Sequence, residues 1–153
     1  MAIAQLADIL TLRNDVFKAY LFWSAVLVLK MLAMSWLTAV QRVATNTFAN
    51  AEDCFRRKDK VKYDEARVER VRRAHRNDME NILPFFIIGF LYVLTDPSKF
   101  LAINLFRIVA FGRLIHTLVY AVICVPQPAR ALSFAVAHLS TAYMAYHVLL
   151  YAS

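Results

Sequence analysis

The stretch Glu69-Arg70-Val71-Arg72-Arg73-Ala74-His75-Arg76-Asn77-Asp78-Met79-Glu80 runs directly into an apolar segment that begins at Asn81. Charge of this density at the edge of a membrane-grade hydrophobic run is costly. A charged side chain at the centre of a bilayer helix costs about 2.5–3.5 kcal/mol on insertion scales, and such residues tend to be functional. On a helix, Arg73, Arg76, Asn77 and Glu80 stand at i, i+3, i+4 and i+7, which puts them on one face. That face offers two guanidinium groups, an amide and a carboxylate at the mouth of a membrane. It suits a small ligand that carries both carboxylates and an amine.

Composition agrees with a membrane setting. The 153 residues are 60% hydrophobic, with a mean hydropathy of +0.47. Two Gly and four Pro leave no material for Gly-rich phosphate loops or disordered linkers. The length fits a single domain, residues 1–153. The net charge of +7 is concentrated in one segment between apolar runs, without a DNA- or RNA-binding motif, so nucleic acid is not an expected partner. Cys54 and Cys124 are far apart and match no redox or zinc spacing; they read as free thiols in a reducing compartment. Residues 1–16 contain Asp8, Arg13 and Asp15 and carry no cleavable signal pattern.

Four apolar segments are long enough to span a bilayer, which takes about 20 residues. They cover roughly 17–40, 65–94, 97–125 and 128–151. The second reaches full length only if its helix starts well before Asn81, capped by Asp64 with Glu65 in its first turn. Asp96-Pro97 reads as the N-cap and first residue of the third. Pro126-Gln127-Pro128 ends it. Short second and third connections predict an all-α, antiparallel four-helix transmembrane bundle. Residues 41–76 hold eleven Lys or Arg, against one in 95–99 and one in 125–130. The positive-inside rule therefore puts the first and third connections in the cytosol and both termini opposite.

A second polar face lies in the third span. Arg113, His116, Thr117 and Tyr120 stand at i, i+3, i+4 and i+7. It either pairs internally, for example Arg113 with Glu80, or faces a ligand. At this membrane level Arg42, Arg73, Arg76, Arg113 and Arg130 outnumber Asp78 and Glu80. Such an excess is unstable if buried alone, and an anionic ligand would complete it. Lys30 reads as snorkelling or paired, and Arg107 as an inter-helix pair or snorkelling group. His138 and His147 read as core or interfacial. There is no metal-ligand spacing, nucleophile elbow, P-loop or dinucleotide fingerprint, so no metal is expected.

Together these motifs resemble the membrane-associated proteins in eicosanoid and glutathione metabolism. The likeness is to the branch that holds type-one microsomal glutathione S-transferases and microsomal prostaglandin E synthase. Glu69-Arg70 with Arg73 to Glu80 carries the signature. Thr47 to Asp53 matches a Phe-Ala-Asn-Pro-Glu-Asp stretch, with Ala51 in place of proline. Gly112-Arg113, His116-Thr117 and Tyr120 match the third-helix motif, and Pro126 to Arg130 the start of the fourth helix.

The resemblance implies homotrimers with glutathione bound between subunits near the cytosolic side. By position, the glutathione contacts would be Arg42, Arg73, Arg76, Asn77, Glu80, His116, Tyr120 and Arg130, with Arg130 stabilising the thiolate as the catalytic residue. The charge count adds Arg113 to this binding set. The expected activity is glutathione conjugation to hydrophobic electrophiles arriving from membrane lipid, with a peroxidase activity on lipid hydroperoxides. Ala131 and Phe134 stand where the prostaglandin synthase has a serine and a tyrosine, which weighs against the alternative, glutathione-dependent prostaglandin isomerisation. A non-catalytic adaptor or transporter is the other alternative. The expected location is the endoplasmic reticulum membrane, with the outer mitochondrial membrane second.

Overall fold

The computed structural model describes residues 7–153. The first six residues of the stretch read for a signal pattern lie outside them. Four long helices dominate: α1 Asp15–Thr45, α2 Ala66–Leu94, α3 Lys99–Thr117 and α4 Ala129–Ala152. A π-helical turn, Leu118–Val122, continues α3.

Local chemistry sets the helix ends. The Asn14 side chain accepts from the Val16 and Phe17 amides at 2.9 and 3.3 Å, starting α1. Asn46 ends it in the left-handed region at φ 52°, so the helix runs to Thr45, five residues beyond the expected limit at Val40. The next segment folds back on itself. Thr47–Phe48 (β1) pairs in parallel with Lys60–Val61 (β2), around a 3₁₀ turn at Ala51–Asp53.

Two expected caps are corrected. Glu65, not Asp64, is the residue before α2, and its side chain makes no capping bond. Ser98 precedes α3. Asp96 instead takes φ 48° and donates its amide to the Val93 carbonyl at 3.2 Å. It therefore closes α2 rather than opening α3.

Contacts fix the helix directions. Tyr20, early in α1, packs on Phe85 and Phe90, late in α2, and on Phe106 of α3. Its hydroxyl donates to the Phe86 carbonyl at 2.8 Å. Lys30, further along α1, reaches Asp78 in the first half of α2. His147, late in α4, lies against Tyr92 and Thr95 at the end of α2, while His138 meets Asn81. Helices adjacent in sequence thus run in opposite directions. Leu27, Ile82, Phe85, Tyr92, Phe106, Val109, Ala137 and Met144 form the main core. Buried Gly112 leaves α3 and α4 in close approach.

The outer surface is apolar. Leu29, Leu32 and Trp36 of α1, Ile87 of α2, Phe111 of α3 and Leu139 and Leu149 of α4 are all exposed. A surface of this kind marks contact with membrane or partner rather than water. Helices α1, α2 and α3 with its π turn are long and apolar enough to cross a membrane.

Candidate functional site

One end of the helix assembly opens into a cleft of about 800 Å³. That is within the ~300–1,000 Å³ of typical small-molecule sites. Helix α2 contributes Arg73, Arg76, Asn77 and Glu80, as their spacing predicts. His116 comes from α3 and Tyr120 from the π turn. Gln127 comes from the connection, and Arg130, Ala131, Phe134 and Ala135 from α4. Three separated sequence segments, 73–80, 116–120 and 127–135, therefore meet on one cavity.

Aromatic contacts brace the α3–α4 side. The His116 and Tyr120 rings meet edge to face at 5.5 Å. Phe134 lies 6.4 Å from His116 and stacks on His138 at 5.1 Å. The Arg130 guanidinium carbon sits 4.6 Å from the Tyr120 ring centroid. That cation–π contact fixes the guanidinium near the cleft without neutralising it.

Pairing of charge decides what the cleft can hold. Arg73, Arg76, Arg130 and Glu80 make no salt bridge among the described residues. Three guanidinium groups and one carboxylate thus face the cavity with their pairing capacity unused. The arrangement suits an anionic ligand that also carries one ammonium group. Pro84 adds to the polarity at Glu80. Lacking an N–H, it cannot donate to the Glu80 carbonyl one turn earlier.

Two expected site residues lie elsewhere. Arg113 is 1% exposed and stands behind the cleft wall, not on it. Its Nη2 donates to Asp78 Oδ1 at 2.6 Å and to Asn77 Oδ1 at 2.9 Å. Lys30 completes this buried group by pairing with Asp78. Arg113 therefore pairs internally, with Asp78 rather than Glu80, and Lys30 is a paired core residue. Asp78 falls on the buried stripe with Val71, Ala74, Ile82 and Phe85, pointing away from Glu80. Arg42, in the last turn of α1, is half-buried and does not line the cleft of its own chain. Arg107 is exposed and makes no salt bridge among the described residues.

Gln127 and Ala135 are lining residues that the motifs did not single out. Gln127 carried little signal, since Gln is not among the residues preferred at helix caps. Its Oε1 accepts from the Ala131 amide at 3.1 Å. Ala135 carried none. Among the described residues, no three His, Cys, Asp or Glu side chains are grouped to hold a metal ion.

Comparison with known proteins gives this cleft a context. The MAPEG family profile matches residues 20–150, which contain every cleft-lining position. The chain belongs to the MAPEG family. Within that family it is similar to microsomal glutathione S-transferase 1 of Homo sapiens, at 44% identity over 141 residues, covering 89% of this chain and 90% of the relative. The Sus scrofa protein of the same name is 42% identical over 151 residues, covering 94% and 96%. Prostaglandin E synthase of Bos taurus is 37% identical over 139 residues, covering 90% of each chain. Both activities named for these MAPEG relatives thus stand near this chain, with the transferases nearer than the synthases cited.

Proposed function

We propose that the protein is a membrane-bound glutathione transferase. The observation that carries this reading is the cleft in which Arg73, Arg76 and Arg130 oppose a single carboxylate, Glu80. Glutathione has two carboxylates, one ammonium and a thiol. Glu80 takes the ammonium, and Arg73 and Arg76 take the carboxylates. Arg130, held over Tyr120, faces the sulfur and favours the thiolate over the thiol. Each unit by which it lowers the thiol pKa corresponds to about 1.4 kcal/mol.

The reaction then needs little else. The thiol proton leaves to solvent, the thiolate sulfur bonds to an electrophilic carbon, and the leaving group departs with the displaced electron pair. Partitioning concentrates apolar electrophiles in lipid, so a cleft at the edge of the membrane brings them to a thiolate drawn from water. The protein contributes proximity and fixed positive charge. On a lipid hydroperoxide the same thiolate attacks the terminal oxygen. A second glutathione then resolves the sulfenic acid, giving an alcohol, water and glutathione disulfide. Ala131 and Phe134 line the cleft without hydroxyl groups, which favours thiolate transfer over prostaglandin isomerisation.

The assembly belongs to the same reading. We infer a four-helix transmembrane bundle, with α4 as the fourth span, that forms homotrimers in the endoplasmic reticulum membrane and also the outer mitochondrial membrane. Arg42 does not line the cleft of its own chain; in this reading it enters the site from the neighbouring subunit's α1. The deciding experiment gives purified protein and glutathione a chromogenic aryl halide, a lipid hydroperoxide and a prostaglandin endoperoxide in parallel. Conjugation is the expected dominant product. Exclusive isomerisation, or no turnover with any of the three, refutes the proposal.

A further inference from the structure

Arg113 is the largest side chain that is almost fully buried. It touches two residues of the cleft wall from behind. Its Nη2 donates to Asn77 Oδ1 at 2.9 Å and lies 3.4 Å from His116 Nδ1. A guanidinium group has donors only. The Asn77 atom that meets it must be the carbonyl oxygen, so the amide nitrogen turns toward the cavity. Asp78 and Asn77 take both Nη2 hydrogens, so His116 Nδ1 receives no bond from it; an N–H at Nδ1 would instead point at a cationic group 3.4 Å away, and that repulsion favours the neutral ring with its hydrogen on Nε2. The Asn77 amide nitrogen has no other hydrogen-bond partner among the described residues, and neither has His116 Nε2.

We propose that Arg113 is a positioning residue that presets the hydrogen-bond polarity of the cleft, turning Asn77 and His116 into donors aimed at the ligand. The proposal rests on the glutathione reading and extends it. With Gln127 also presenting its amide nitrogen, because its oxygen is taken by the Ala131 amide, the polar wall becomes donor-rich throughout. Glu80 is the one acidic side chain in the lining. The ammonium of the tripeptide has a single place to go, and its carboxylates and peptide carbonyls meet donors. Ligand direction is thereby set before binding, from a residue the ligand never touches. Asp78 Oδ1 accepts from the same Nη2 at 2.6 Å and anchors that nitrogen beside Asn77.

The buried charges supply a matched control. Lys30 and Arg113 share Asp78, so removing either cation leaves one ion pair in the core. Only Arg113 touches Asn77. Arg113→Met should weaken glutathione binding about tenfold by isothermal titration, or about 1.4 kcal/mol. Lys30→Met should stay within about twofold of the parent. Equal losses, or unchanged binding by Arg113→Met, overturn the proposal. Should Arg113→Met not fold, Asn77→Asp keeps the acceptor for Arg113 and removes the donor. It should lose affinity to a similar degree, and full affinity overturns the proposal. Nitrogen NMR of histidine-labelled protein needs no ligand. His116 should carry its proton on Nε2 in the parent, and an Nδ1–H tautomer overturns the preset. A parent protein that binds no glutathione would instead defeat the functional reading, with the tautomer still deciding this one.

Discussion

Replacing Gly112 with alanine puts a methyl carbon 3.1 Å from the Ala137 Cβ, 3.2 Å from the Ser133 carbonyl oxygen and 3.4 Å from the Ala137 amide nitrogen. Two of these neighbours are α4 backbone, which moves only if the helix moves. At Gly89 the same substitution puts the carbon 3.1 and 3.3 Å from ring atoms of Tyr20 and 3.4 Å from the Phe85 ring. Distances match, but rings tilt and backbone does not. Each replacement gains about 1 kcal/mol of helix propensity. Overpacking costs about 1–3 kcal/mol, with the upper part of that range falling on Gly112. Gly112→Ala should therefore be net destabilised by about 1–2 kcal/mol, and Gly89→Ala should lie near neutral. The assay is the midpoint of denaturant-induced unfolding in lipid–detergent micelles, followed by tryptophan fluorescence, beside glutathione turnover. Turnover should fall more in Gly112→Ala, because Arg130 and Phe134 ride on the displaced helix opposite His116 and Tyr120. An unfolding midpoint for Gly112→Ala at or above the parent's would refute the reasoning, as would a larger loss in Gly89→Ala.

Further outcomes follow from the site and the charges. Arg130→Ala should lower kcat about 100-fold, the low end for losing one group that stabilises developing charge, while glutathione affinity changes little; unchanged kcat would remove Arg130 as the thiolate's partner. Arg73→Ala and Glu80→Gln should show the reverse split, because the ligand charges they meet are the same in ground and transition states; stopped-flow kinetics at varied glutathione separates the two. Asp78→Asn leaves Lys30 and Arg113 buried without an anion and should cost about 3–5 kcal/mol, so recovery of a folded protein with parental stability would show that the pair is not buried as described. Cys54 and Cys124 should both react with an impermeant maleimide from the cytosolic face of sealed microsomes; protection of one and labelling of the other would break the proposed topology.

Sequence periodicity found the cleft face of α2 because Arg73 to Glu80 lies inside one uninterrupted α-helix. It erred at Arg113 for an equally physical reason. A period of 3.6 tells which residues share a face, not which neighbour that face meets. The same period did hold the answer for Asp78, which is in phase with Val71, Ala74, Ile82 and Phe85 and out of phase with Glu80. Grouping both carboxylates by membrane depth concealed that. The misplaced caps have another origin. Asp tolerates both the N-cap and the left-handed conformation, and Asp96 takes the second. Arg42 was legible as a residue at the right depth, yet its distance from the cleft depends on packing that no local pattern encodes. Nothing in Leu118–Val122 announces a π turn.

That turn makes chain length a part of the site. The Ile123 amide bonds to the Leu118 carbonyl and the Val125 amide to the Val119 carbonyl, both at 2.8 Å, so the loop of chain they close is wider than an α-helical one. One residue more than the α repeat is accommodated there, so the chain leaves the helix about 100° out of phase with a continuous one. Tyr120 sits inside this widened turn, and Gln127 and Arg130 follow it. Exchange of an outward side chain such as Val122, which is 57% exposed, alters only the surface it presents. Loss of one residue from the same five would close the widened turn, shift the point at which the chain leaves it, and shorten the connection that brings Gln127 and Arg130 to Tyr120. Descendants of this chain are thus free to vary in letter at outward positions of the segment such as Val122, but not in the number of its residues.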